Sequence, residues 1–130
     1  MSGVLLDTNV LIDYLRDVPE AVNYLETSPG DMSISALTVA ELHAGARGES
    51  ERQSLRDFTA SFEVIAADGP ICEAGGDLRA KYGPSHGIDL IDAIIAATSL
   101  CRQLPLVTLN RKHFPMLQNL VVPYAPRGAQ

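Results

Sequence analysis

The sequence predicts an α/β fold: three layers, α/β/α, around a mostly parallel sheet of four or five strands. Short apolar runs alternate with longer helix-patterned stretches, which implies right-handed crossovers between parallel strands. The unbroken apolar character of GVLL (3–6) and LIDAIIAATSL (90–100) suits elements covered on both sides. At 130 residues and 46% hydrophobic content, the chain is expected to form one domain spanning 1–130. A chain of that size buries about two thirds of its unfolded surface.

The elements follow in order. GVLLD (3–7) reads as the first strand, and the helical pattern resumes at once over 8–17 and again over 19–28, where Pro29-Gly30 stops it. MSIS (32–35) is the second strand, followed by helices at 36–47 and 50–60, parted by Gly45 and Gly48. FEVIA (62–66) is the third strand, and a helix over 69–82 ends at the run GPSHG, 83–87. A helix over 90–103 then leads to the strand PLVTL (105–109), a short helix at 111–117 and a fifth strand, LVVPY, at 120–124.

Composition excludes several classes. No window approaches the roughly 18 uncharged apolar residues of a membrane span, and MSGVLLDTN lacks the basic start of a signal peptide, so the expected location is the cytoplasm. Cys72 and Cys101 lie in apolar helix-like surroundings and are expected as buried thiols rather than a disulfide. The net charge of −6 argues against a broad basic face for nucleic acid. Such binding has to be local or assisted by a cation.

In a parallel sheet, strands end and the following helices begin at one edge, where residues distant in sequence meet. Asp7 closes the first strand, Glu41 lies early in the helix after MSIS, Asp89 and Asp92 open the helix at 90–103, and Asn110 follows PLVTL. Carboxylates gathered there repel one another, and a divalent cation relieves the repulsion. Oxygen donors without a Cys or His pair suit Mg²⁺ or Mn²⁺. Such an ion activates water for attack on a phosphodiester.

Each residue also has a purely structural reading. Thr38-x-x-Glu41 matches a capping box, Asp89-x-x-Asp92 a helix N-terminus, and Asp7 a cap on the first helix.

LLDTNVLIDYL (5–15), ISALTVAELHAGA (34–46), IDLIDAIIAATSL (88–100) and LVTLNRKHF (106–114) together resemble the four successive motifs of the PIN-domain family, in particular its VapC-like toxins of bacterial toxin–antitoxin pairs. The resemblance implies a metal-dependent endoribonuclease using Mg²⁺ or Mn²⁺. It also implies a small antitoxin that blocks the site, and a homodimer. Asp7, Glu41 and Asp92 match the first three acidic positions. The fourth falls on Asn110, a departure also met among VapC-like sequences; an amide adds no charge and should hold the cation more weakly. Asp89, one helical turn before Asp92, makes up part of that deficit, and Thr8, Asn9 and Thr108 are expected to orient the carboxylates.

Other polar residues carry less. Arg111, Lys112 and His113 are candidates for substrate phosphates, as are Arg52 and Arg56, against the alternative of solvated surface. His43 and His86 stand without a metal-ligand partner. Apolar residues of the helices at 8–28 and 36–60 (Val10, Leu11, Tyr14, Leu15, Tyr24, Leu25, Leu37, Leu42, Leu55 and Phe58) exceed what one sheet face needs, so some should line a groove for a partner helix. Two other classes compete. A haloacid-dehalogenase-like phosphatase expects a second Asp at position 9, which is Asn here, and a non-enzymatic PIN-fold binding protein would be favoured by loss of Asp7 or Asp92, both present.

Overall fold

The computed structural model describes residues 3–126. Strand β1 (Val4–Leu6) leads into helices α1 (Thr8–Leu15) and α2 (Pro19–Thr27); β2 (Met32–Ser35) precedes α3 (Ala36–Ala44) and α4 (Gly48–Thr59). Strand β3 (Glu63–Ile65) precedes α5 (Gly69–His86) and α6 (Leu90–Arg102), and β4 (Leu106–Val107) is followed by a one-turn 3₁₀ helix, Arg111–His113.

The four strands form one sheet in the order β3-β2-β1-β4, with every pairing parallel. Leu5 is in register with both Ser33 and Leu106. Because successive strand residues point to opposite faces, Leu5 and Leu106 supply one core, with Ile71, Ile94, Ile95 and Phe114, while Leu6 and Val107 supply the other, with Val10, Leu11, Leu42 and Leu55. Helices α5 and α6 thus cover one face, and α1, α3 and α4 the other. That is the expected three-layer arrangement.

Helix α6 explains the apolar run of its sequence, since Ala93 through Ser99 are all buried. Its neighbour α5 comes unusually close. A Cβ at Gly75 would stand 2.9 Å from Ile94 Cα, so only glycine admits this approach.

Four sequence expectations are corrected. The fifth strand at 120–124 is reduced to a single parallel bridge between Val107 and Val121; Pro123, lacking an amide proton, does not extend a ladder. The helix expected to stop at residue 82 runs on through Pro84 to His86, where Gly87 closes it in the left-handed conformation (φ 64°). The short helix expected over 111–117 is confined to the 3₁₀ turn. Cys72 and Cys101 are free thiols but exposed, because each falls on the outer face of its helix. Among the described residues no helix is long and apolar enough to cross a membrane.

Candidate active site

The chain leaves β1 toward β2 on one side, whereas β4 pairs with β1 on the other. Beyond β1, connections therefore diverge, and in such sheets the carboxyl ends of the strands at that point are where ligands commonly bind. Asp7 sits at that point, 6% exposed.

Both oxygens of Asp7 are held. Oδ1 accepts from the Thr8 amide (2.8 Å), which makes Asp7 the N-cap of α1, and Oδ2 accepts from the Thr108 hydroxyl (2.6 Å). The capping role and the site role are therefore carried by different oxygens of one carboxylate. Thr108 is itself buried and accepts from Asn110 N (3.1 Å) and Asn9 Nδ2 (3.4 Å), so β4 and its following loop are fixed to the end of β1.

Thr8 joins Glu41 to the same place. Its hydroxyl donates to Glu41 Oε1 at 2.6 Å and lies 3.0 Å from the buried Thr38 hydroxyl. Glu41 does not close the capping box that Thr38-x-x-Glu41 suggests. The N-cap of α3 is Ser35, whose Oγ accepts from Leu37 N at 3.0 Å, so Glu41 lies in the second turn and is free to reach across to α1.

Asp89 and Asp92 divide their tasks. Asp89 is the N-cap of α6, its Oδ1 accepting from Asp92 N at 2.8 Å. Asp92 Oδ2 lies 3.1 Å from His113 Nδ1, a pairing that returns the 3₁₀ turn to the start of α6. Sequence reasoning offered His113 as a candidate for substrate phosphates against solvated surface and missed this contact. The signal was the adjacent Phe114, whose aromatic side chain is 1% exposed and fixes where His113 stands.

Burial is the main force raising the Asp7 carboxyl above its ordinary 3.8; the Thr108 and Thr8 hydrogen bonds oppose it, and Glu41 adds repulsion. Asp92 is pushed up to about 6, first by burial, then by the charges of Asp89 and Asp7, with His113 pulling the other way. Each carboxylate thus feels its neighbours. The site has surplus negative charge.

All the donors concentrated here are oxygens, apart from the His113 ring. Among the described residues no three Asp, Glu, His or Cys side chains are closed to direct ligand spacing. Thr8 links Asp7 to Glu41, while Thr108 holds Asp7 and His113 contacts Asp92. This donor set fits a hard divalent cation that keeps part of its water shell, as Mg²⁺ commonly does. Asn110, Arg111 and Lys112 are exposed at the rim.

Beside Glu41 a groove of about 540 Å³ runs between α1, α3 and α4, with Ile12, Leu15, Leu42 and Leu55 along its walls. Leu15 is 42% exposed, whereas Val10 and Leu11 are fully buried. Only part of the apolar surplus of these helices is therefore consumed by the core.

A model of the PIN-domain family matches residues 4–117, nearly the whole chain. The chain belongs to the PIN-domain family. This PIN domain is 40% identical over 128 residues to Ribonuclease VapC10 of Mycobacterium tuberculosis, with 96% of each chain covered. It is 37% identical over 124 residues to Ribonuclease VapC19 of the same organism, covering 92% of this chain and 98% of the relative. In three dimensions it is similar to a chain of a toxin–antitoxin complex from Klebsiella pneumoniae, with a TM-score of 0.82, 34% identity and coverage of 95% and 99%. Asp7, Glu41, Asp92 and Asn110 come from four different elements or their ends.

Proposed function

We propose that this chain is the toxin of a toxin–antitoxin pair, an endoribonuclease that hydrolyses RNA phosphodiester bonds with a Mg²⁺ or Mn²⁺ ion and acts as one domain in the cytoplasm. The observation that carries this reading is the buried Asp7 at the divergence of β1 and β4, held by two donors and within electrostatic reach of Glu41 and Asp92. Relatives at up to 40% identity named as ribonucleases support the substrate class.

Asp7, Glu41 and Asp92 would hold the ion, with Asn110 as a neutral fourth donor. The ion, when bound, supplies Lewis-acid stabilisation of charge on the phosphodiester and acidifies water. The chain's own groups do the rest. Thr8 and Thr108 prevent Asp7 from rotating, Thr8 aims Glu41, and Asp89 fixes the first turn of α6 that carries Asp92. Arg111 and Lys112, exposed next to Asn110, offer positive charge to the backbone of an RNA strand entering an otherwise acidic crevice.

The groove beside Glu41 suits an antitoxin helix, and an antitoxin arginine reaching Glu41 and Asp7 would bond their carboxylates and displace the cation. A homodimer is the expected free form of the toxin.

The test is incubation of the purified, antitoxin-free chain with total RNA and Mg²⁺, Mn²⁺ or EDTA, followed by mapping of the cleaved ends. Discrete metal-dependent products that disappear on adding an arginine-bearing antitoxin peptide are expected. RNA left intact with either metal would show a binding protein instead.

A further inference from the structure

We propose that His113 is a positioning residue for the cleavage reaction, its imidazole Nδ1 fixing the orientation of the Asp92 carboxylate through the 3.1 Å contact to Oδ2. The proposal rests on the ribonuclease reading above. Asp7 has Thr8 and Thr108 to hold its two oxygens, and Glu41 has Thr8. For Asp92 that part falls to His113.

The contact is built, because its two ends are each anchored by something other than the contact itself. Asp92 is fixed by the cap that Asp89 places on α6. His113 is fixed by its own turn: His113 N donates to Asn110 O (3.0 Å), Phe114 N to Arg111 O (3.1 Å), and Leu117 N to Phe114 O (3.1 Å). Phe114, 1% exposed, locks that turn into the core formed with Ile94 and Ile95 of α6. The turn bearing His113 and the helix bearing Asp92 thus share one core, through Phe114 next to His113 and Ile94 two residues after Asp92.

The pair does little for stability. The His113 side chain is 53% exposed, and solvent screening leaves pairs of that kind little net stabilisation. A role in orientation accounts for the placement better. An ionised carboxylate only accepts hydrogen bonds, so against it Nδ1 carries a proton and donates to Oδ2. Oriented this way, Asp92 keeps its second oxygen available. Partners of ligating groups typically alter metal affinity or activity by about 10–100-fold when removed.

The experiment compares wild type, His113→Ala and His113→Asn. The Asn amide nitrogen occupies nearly the place of Nδ1 and donates the same bond, yet it cannot titrate. Mn²⁺ affinity is measured by calorimetry on RNA-free protein, and kcat and KM on an RNA oligonucleotide that the wild type cleaves, with thermal unfolding to verify the fold. His113→Ala should weaken Mn²⁺ binding and lower kcat by about 10-fold or more, with KM within about 2-fold, and His113→Asn should restore most of both. An unchanged His113→Ala protein would overturn the proposal, as would a rise in KM alone, which marks substrate contact. An Asn variant no better than Ala also overturns it, since the ring and not the bond would then matter. A wild type that neither binds Mn²⁺ nor cleaves RNA removes the ribonuclease reading and this role together, whereas an active wild type matched by His113→Ala removes this role alone.

Discussion

Thr108 and Asp7, 101 residues apart in sequence, are joined by a 2.6 Å hydrogen bond from the Thr108 hydroxyl to Asp7 Oδ2. This bond ties the end of β4 to the end of β1 and sets the one buried carboxylate of the crevice. Thr108→Val keeps the shape but leaves that oxygen without its donor, which should cost about 1–3 kcal/mol. It should also push the Asp7 carboxyl still higher, because a bond that favours the charged form is lost. Cleavage is expected to fall about 10–100-fold, with Thr108→Ser close to wild type. Denaturant unfolding and initial cleavage rates check both.

Asp92 supplies a pH dependence. Its carboxyl is pushed up to about 6 in the fold, against an ordinary 3.8. Between those values the native state binds more protons than the unfolded chain, so this group's contribution to stability declines as pH rises through that window and its penalty is complete above it. Asp92→Asn removes the penalty. Without metal, the variant should melt a few degrees above wild type near pH 7, the shift expected for about 1–2 kcal/mol in a partly solvated group. That advantage should shrink toward about pH 4. Melting curves that stay equally separated across the range would contradict it.

Two adjacent glycines in α5 should behave oppositely. At Gly75 an added Cβ would meet Ile94 Cγ1 at 2.7 Å and Cα at 2.9 Å, whereas at Gly76 nothing lies within 4 Å. Gly75→Ala should therefore destabilise by about 1–3 kcal/mol through overpacking. Gly76→Ala should stabilise by up to about 1 kcal/mol through helix propensity. Equilibrium unfolding in urea measures both.

The fourth position of the site can be restored to a charge. Asn110 is exposed at the rim and its amide adds no charge. Asn110→Asp should tighten Mn²⁺ binding several-fold, read by calorimetry. Equal affinities would place this side chain outside the cation's reach.

The sheet and its layers were legible because Leu5, Leu6, Ile34, Ile65, Leu106 and Val107 form short apolar runs bounded by turn residues. That Asp7, Glu41 and Asp92 fall at the carboxyl-end edge of the sheet was legible for a topological reason, because parallel strands deliver their ends to one edge. What could not be read was which partner each oxygen takes. Thr38-x-x-Glu41 has capping-box spacing, yet the helix starts at Ser35, and a shift of one turn turned Glu41 from a cap into a ligand of Thr8. The His113–Asp92 contact depends on how Phe114 seats in the core, which is a packing outcome. Residues 120–124 have strand character, but only Val121 reaches β4. Cys72 and Cys101 have apolar neighbours in sequence but lie on outward helix faces.

The measurement that bears most directly on the central claim is RNA cleavage by Asp7→Asn, at matched purity, with Mn²⁺ present. Asn keeps the size of Asp7 and its oxygen still accepts from the Thr8 amide, but its nitrogen faces a Thr108 hydroxyl that already accepts from Asn110 N and Asn9 Nδ2, so the Thr108 bond is lost. The substitution removes the charge from the buried position together with that one bond. Cleavage should drop by at least about 100-fold, to the level of wild type in EDTA, with a cooperative thermal unfolding transition showing that the variant is folded. Undiminished, metal-dependent cleavage by the Asp7→Asn protein would contradict a carboxylate-held cation at this crevice.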